Sequence, residues 1–413
     1  MGLILKNIAT LLTLKEAAAK QGRRITESDL GILTKQSIVV DKGRIVWVGP
    51  AGKIPADIKK KKFKEQDMTG MTVMPGLVEC HTHLIFDGDR AAEFEMRNQG
   101  ASYQEIAAAG GGIISTMKKT RAASLATLTK SAQKRADRFV AQGVTTLEVK
   151  SGYALNLKDE LKCLEAAKKI KGPHIVATFL GAHALPPEFK TYREYLDFVT
   201  EKVLPVVKKK KLADRVDIFI ENGFFPADQS EKYLKTAKAM GFEVLAHADQ
   251  LSLSGGSDVA IKVGALSGDH LLQVTEKEIK GLADSEVTCV LLPAADLYMK
   301  CKYPPAREMI KAGARVALAT DFNPGTSPTQ DVNLVGLLAR LEMKMSLPEV
   351  IAAYTVGAAY ALRLEKDIGS IEVGKYADLL CTSRDWRTLF YNAGESFADQ
   401  VFIRGKRSFI SKK

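Results

Sequence analysis

His81-Thr82-His83 sets two imidazoles two residues apart, and on an extended strand that spacing turns both rings to one face. Two such rings can share an ion. An isolated pair of this kind is equally the polar end of a strand, so its company decides its weight. Of six histidines in the sequence, five (His81, His83, His183, His247 and His270) close apolar runs, as does Asp321. His174 falls between runs and is expected in a loop. Taken together, His81, His83 and His247 offer nitrogen and Asp321 a hard anionic oxygen, a set that suits one divalent ion such as zinc or iron with a position left for water. Such an ion lowers the pKa of its water from about 15.7 to near 7 and polarises a carbonyl under attack. Asp321, in reach of that water, and His270, uncommitted beside it, are the side chains expected to carry a proton to a leaving nitrogen. The alternative for His270 is a hydrogen-bonded core histidine.

These residues are far apart in the chain, so the fold must gather them. Eight buried-looking runs alternate with helical stretches: Gly76 to His83, Val144 to Val149, Ile175 to His183, Val216 to Glu221, Phe242 to His247, Ala265 to His270, Thr288 to Leu292 and Arg315 to Asp321. Alternation of this kind builds parallel sheets. Amphipathic segments such as Leu125 to Gln142, Asp159 to Lys171, Tyr192 to Lys208 and Gln229 to Met240 separate them. The fold class expected is α/β, a (β/α)8 barrel over 71–365, whose strand ends meet at one face. Both chain ends read as short strands, for example Gln36 to Asp41, Gly43 to Gly49, Gly374 to Cys381 and Asp399 to Arg404. Segments 1–70 and 366–413 are therefore expected to join as one small β-sandwich.

The chain has 413 residues, 46% hydrophobic and 26% charged, the balance of an ordinary globular protein. No window approaches the ~18 apolar residues of a membrane span, and no secretory leader is evident, so a cytoplasmic protein without a membrane partner is expected. Five cysteines, Cys80, Cys163, Cys289, Cys301 and Cys381, are scattered without a C-x-x-C and read as reduced core thiols. The net charge of +12 collects at Lys59 to Lys62, Lys64, Lys208 to Lys211, Lys412 and Lys413. No reading motif or interleaved aromatic residues accompany these clusters, which argues for solvated surface and against nucleic acid. Three glycines at Gly110 to Gly112 before an apolar helix suit either a flexible turn or a loop that closes over substrate.

Met74-Pro-Gly-Leu-Val-Glu-Cys-His-Thr-His-Leu84 and Gly374-Lys-Tyr-Ala-Asp378, with the strand-end ligands, resemble the amidohydrolase superfamily, metal-bearing (β/α)8 barrels with a β-sandwich made from both termini. Over nearly its whole length the chain is similar to the imidazolonepropionase family within it. The phrases that carry this are His81 to Arg90, Gly110 to Ile113, Glu148-Val-Lys-Ser-Gly-Tyr153, Thr178 to His183, His247-Ala-Asp-Gln250 and Ala319 to Thr326. The resemblance implies hydrolytic opening of the lactam ring of 4-imidazolone-5-propanoate to N-formimidoyl-L-glutamate, in histidine breakdown. It also implies that His81, His83, His247 and Asp321 hold zinc or iron. Arg90, Tyr153, His183 and Gln250 are implied to hold the substrate, and Asn323, Gly325 and Thr326 the substrate or opened product. The physical chemistry agrees in kind: a guanidinium can grip both oxygens of a carboxylate tail, and a flat polar ring calls for hydrogen-bonding partners around it. Arg90 as a surface ion pair, Tyr153 as packing and Asn323-Pro324-Gly325 as turn chemistry are the plainer readings. A homodimer is a further expectation.

A heterocycle deaminase is the nearest rival, but enzymes of that kind resemble one another in a Glu three residues beyond the strand-five histidine, where this chain has Gln250, an amide with no proton to shuttle. Some members of the imidazolonepropionase family also carry Glu there, which leaves the general acid open. A binuclear hydrolase is expected to have a carboxylated lysine at the end of strand four; Val216 to Glu221 contains none, although Glu221 is a conceivable bridge. A non-catalytic assembly protein on the same barrel would show eroded ligands, and all of them are here.

Overall fold

A computed structural model describes residues 2–101, 105 and 110–411. Lys412 and Lys413 lie outside the described residues. Eight parallel strands follow in sequence order: Leu77–Glu79, Val144–Lys150, His174–Ala182, Arg215–Ile220, Ala246–Ala248, Ser267–His270, Thr288–Leu291 and Arg315–Leu318. A parallel bridge between Thr82 and Phe322, with the His83 amide donating to the Phe322 carbonyl at 2.9 Å, brings the first and last strands together. The curved sheet is thus a (β/α)8 barrel. Helices such as Leu125–Val140, Leu157–Lys168 and Ala227–Ala239 sheathe it because their apolar residues recur on one stripe: Leu128, Ala132, Ala136 and Phe139 are all buried.

Several boundaries differ from the sequence expectation. His174 is no loop residue: it opens the third strand, half-buried at the amino end, far from the other histidines' side of the sheet. The fifth run breaks into Glu243–Val244 and Ala246–Ala248, with Leu245 still hydrogen-bonded to Val216. Regular pairing ends before His81, His83, His183 and Asp321, which sit on the first residues of the loops beyond their strands. At that point the chain is free to leave the pleat, and Asp321 takes a left-handed φ of 51°.

The termini build one continuous mixed sheet in the order Lys406–Ile410, Gln400–Ile403, Leu379–Thr382, Thr72–Pro75, Leu3–Leu12, Ile32–Asp41 and Arg44–Pro50, with Lys64–Asp67 parallel to Leu3–Lys6. Sheet membership on the amino-terminal side therefore extends past residue 70 to Pro75. Alternate side chains of the long strands face opposite ways. Leu3, Leu5, Ile38 and Val40 join one apolar cluster, while Ile4 and Val39 meet Ile54 and Ile58 on the other face. All five cysteines are unpaired thiols and four are buried. Lys59 to Lys62, Lys64 and Lys208 to Lys211 are exposed. No helix among the described residues is long and apolar enough to cross a membrane.

Candidate metal centre and substrate pocket

His81, His83 and His247 meet at the carboxyl-terminal mouth of the barrel, with ligand atoms within 4.8 Å of one another. Asp321 Oδ1 is 3.4 Å from His81 Nε2 and 3.3 Å from His83 Nε2, and His83 Nε2 is 3.4 Å from His247 Nε2. Two ligand atoms each about 2.1 Å from a tetrahedral ion lie about 3.4 Å apart, so these spacings are those of a ligand set around a single centre.

The hydrogen positions support the same reading. His81 Nδ1 lies 2.6 Å from Asp269 Oδ2, which places the ring proton there and leaves a lone pair on Nε2. That lone pair faces Asp321 Oδ1, and neither atom has a hydrogen-bond partner. Two buried acceptors aimed at each other are unfavourable unless a cation lies between them. His247 Nδ1 approaches Asp217 Oδ2 at 3.1 Å, an ion-pair distance without hydrogen-bond alignment. Both carboxylates thus stand behind candidate ligand imidazoles, the arrangement that orients ligand rings at a metal.

Burial holds the His81 and His83 imidazoles well below the ordinary histidine range, helped by Lys150 and the neighbouring rings, and neutral imidazole is the ligand form. At His247 burial acts in the same direction, but Asp217 outweighs it and the pKa ends raised. Burial also raises the Asp321 carboxyl, against the pull of His270 and His247. His270 lies with its ring centroid 5.4 Å from His247 and 5.7 Å from His81, and its Nδ1 has no partner. Burial drops its pKa to about 3, which keeps the ring neutral beside the cluster.

A pocket of about 510 Å3 including its mouth is lined by His83, His247, His270 and Asp321 and also by Arg90, Tyr153, His183, Gln250, Asn323 and Thr326. His81 lies beneath it. His183 Nδ1 donates to the Gly152 carbonyl at 2.9 Å, leaving Nε2 as an acceptor, and the ring stacks on His83 at 5.1 Å. Gly152, at φ 109°, has no alternative residue: a Cβ would lie 2.7 Å from the Leu180 carbonyl. Tyr153 lies with its ring 5.3 Å from His183. Arg90 precedes helix Ala91–Asn98 and is buried, with Nε donating to Glu93 at 2.7 Å. Gln250 contributes an amide at the rim, 3.8 Å from the Met299 sulfur.

Asn323 lines the pocket and also fits the turn reading. Its Oδ1 accepts the amides of Gly325 at 2.8 Å and Thr326 at 2.7 Å, and its Nδ2 donates to the Asp321 carbonyl and to Thr326 Oγ1, both at 2.8 Å. The backbone donors expected to face a product are thus turned onto this side chain, because an Asn at a turn bonds its own following backbone. Gly325 lies behind Arg90 rather than on the pocket wall. Glu221 is likewise committed: it accepts the amides of Asn222 and Leu251 at 2.8 Å and Ser252 at 3.3 Å, and the Ser252 hydroxyl, which fixes the loop after Gln250. The sequence reading missed Asp217, Asp269, Glu148 and Lys150. Charged residues inside otherwise apolar strands were the available signal.

The model of the amidohydrolase family matches residues 72–407. An imidazolonepropionase of Bdellovibrio bacteriovorus is 69% identical over 100% of this chain and 98% of its own length. Another, from Geobacillus kaustophilus, is 41% identical over 98% of this chain and 97% of its own. Among solved structures, a triazine hydrolase variant aligns with a TM-score of 0.75 at 17% identity, covering 98% of this chain and 94% of that one. An adenosine deaminase from Xanthomonas campestris with bound zinc gives 0.71 at 19%, covering 99% and 93%. The chain belongs to the amidohydrolase family and, within it, groups with the imidazolonepropionases. The distant structures speak for the fold alone.

Proposed function

We propose that this chain opens the lactam ring of 4-imidazolone-5-propanoate by hydrolysis, giving N-formimidoyl-L-glutamate in histidine degradation. Relatives of that name matching end to end support the substrate. The observation that carries the chemistry is the pair of unpartnered lone pairs on His81 Nε2 and Asp321 Oδ1 inside the histidine cluster. His81, His83, His247 and Asp321 would hold zinc or iron. When bound, such an ion supplies a lowered pKa for water and polarisation of the lactam carbonyl.

The rest is done by side chains. Arg90 grips the propanoate carboxylate, which sets the ring over the cluster. Tyr153, His183 Nε2 and Gln250 hydrogen-bond the ring edge, and Asn323 keeps the Gly325–Thr326 turn in place beneath Arg90. Water oxygen joins the carbonyl carbon, Asp321 takes the water's proton, and the ring C–N bond breaks. The released nitrogen receives a proton from Asp321 or from His270 after transfer, so no net proton is consumed. A cytoplasmic location and a homodimeric state are further parts of the same proposal.

Incubation with freshly generated imidazolone propanoate is expected to show loss of ring absorbance matched by formimidoylglutamate. Release of ammonia with the ring intact would instead identify a deaminase.

A further inference from the structure

The second barrel strand ends Glu148-Val149-Lys150, and its pleat turns Glu148 and Lys150 to one face. Lys150 is fully buried below the histidines. Its Nζ lies 3.0 Å from Glu148 Oε1, 2.8 Å from Asp217 Oδ2 and 3.8 Å from Asp269 Oδ2. Each carboxylate has a second contact that leads to a candidate ligand. Glu148 Oε2 accepts the amide of Thr82, between His81 and His83, at 3.1 Å. Asp217 reaches His247 Nδ1, and Asp269 reaches His81 Nδ1.

Three carboxylates confined to one dry space repel each other, and each is free to turn elsewhere or take up a proton unless a cation gathers them. We propose that Lys150 is a positioning residue for the metal centre, its ammonium drawing Glu148, Asp217 and Asp269 inward so that they aim His81, His247 and the backbone at Thr82 at one ion. Lys150 itself touches none of the four candidate ligands through its ammonium. Burial alone would lower its pKa, but Asp217, Glu148 and Asp269 override that and raise it, so the group stays charged. A residue that merely filled space at this depth would need no charge. The inference rests on the metal reading of His81, His83, His247 and Asp321.

The test is zinc affinity, measured on chelator-stripped protein by competition with a chromophoric chelator, together with the melting temperature of the metal-free form. Wild type should bind zinc tightly; failure to bind would defeat the metal reading itself. K150M is expected to bind zinc about 10–100-fold more weakly, the size of effect that outer-shell partners have. In a D217N/D269N background the same substitution should change affinity by less than about threefold, because the two of its three carboxylate targets that reach the histidines are gone. A folded K150M with wild-type zinc affinity and only a lower melting temperature would overturn the proposal, as would a full additive loss in the combined variant. Should K150M not fold, D217N and D269N decide singly: about tenfold weaker zinc binding in each supports the relay, and wild-type affinity in both overturns it.

Discussion

The Arg90 guanidinium lies against the Gly325 backbone so closely that a Cβ on residue 325 would fall 2.1 Å from Nη1 and 2.3 Å from Cζ. Residue 325 must lack a side chain for Arg90 to reach the pocket. G325A is therefore expected to displace the guanidinium and to raise KM about 10–100-fold, the loss of one charged hydrogen-bonding contact, while kcat moves little. R90A should behave alike. Steady-state kinetics on both variants checks this, and an unchanged KM in either would remove Arg90 from the carboxylate tail.

For His270, a position beside the cluster with Nδ1 unpartnered leads to the opposite kinetic split. H270A should lower kcat about 10²–10⁴-fold with KM nearly intact, as expected for a lost proton-transfer group. Near-normal kcat would leave proton transfer to Asp321 alone.

Metal binding only to the folded cluster must also stabilise the fold. At a free metal concentration about a thousandfold above Kd the gain is about 4 kcal/mol. Chelator-treated protein should melt at a lower temperature than protein with zinc added back, and H247A should lose that difference. An identical melting temperature with and without metal would contradict a site at these side chains.

Away from the mouth, Asp378 offers a pH prediction. Its Oδ1 accepts the Arg404 amide at 2.6 Å while Oδ2 has no partner, and burial raises its pKa from 3.8 to about 6. A carboxyl that holds its proton more tightly when folded than when unfolded favours the fold in acid and opposes it once ionised. The cost is absent below about pH 4, grows up to about pH 6 and is constant above, reaching at most about 3 kcal/mol. D378N keeps an acceptor for Arg404 and removes the charge. Urea unfolding should show it more stable than wild type at pH 8 and equal at pH 4; a gain of the same size at both would mean that charge is not the cause.

Much of the candidate site was legible in the sequence because the candidate metal ligands and the strand ends coincide. His81, His83, His247, His270 and Asp321 each follow an apolar run, and a barrel has one face where such ends meet. What lay deeper showed only as charged residues inside otherwise apolar strands. Asp217, Asp269 and Lys150 matter through contacts with residues on other strands, and their spacing within their own strands carries no trace of those contacts. Asn323 was read as turn or binding chemistry, and only the direction of its five side-chain hydrogen bonds tells that it builds the turn. His174 misled because its strand begins immediately after a Gly-Pro pair, Gly172-Pro173, that reads as a loop.

The most direct test of the whole account is an activity titration: metal-depleted protein receives increments of zinc or iron(II), and conversion of imidazolone propanoate to formimidoylglutamate is followed at each step. Activity is predicted to be absent without metal and to rise linearly to a break at one ion per chain, with D321N and H247A remaining inactive throughout. Full turnover by the depleted protein, or by either variant, would contradict it.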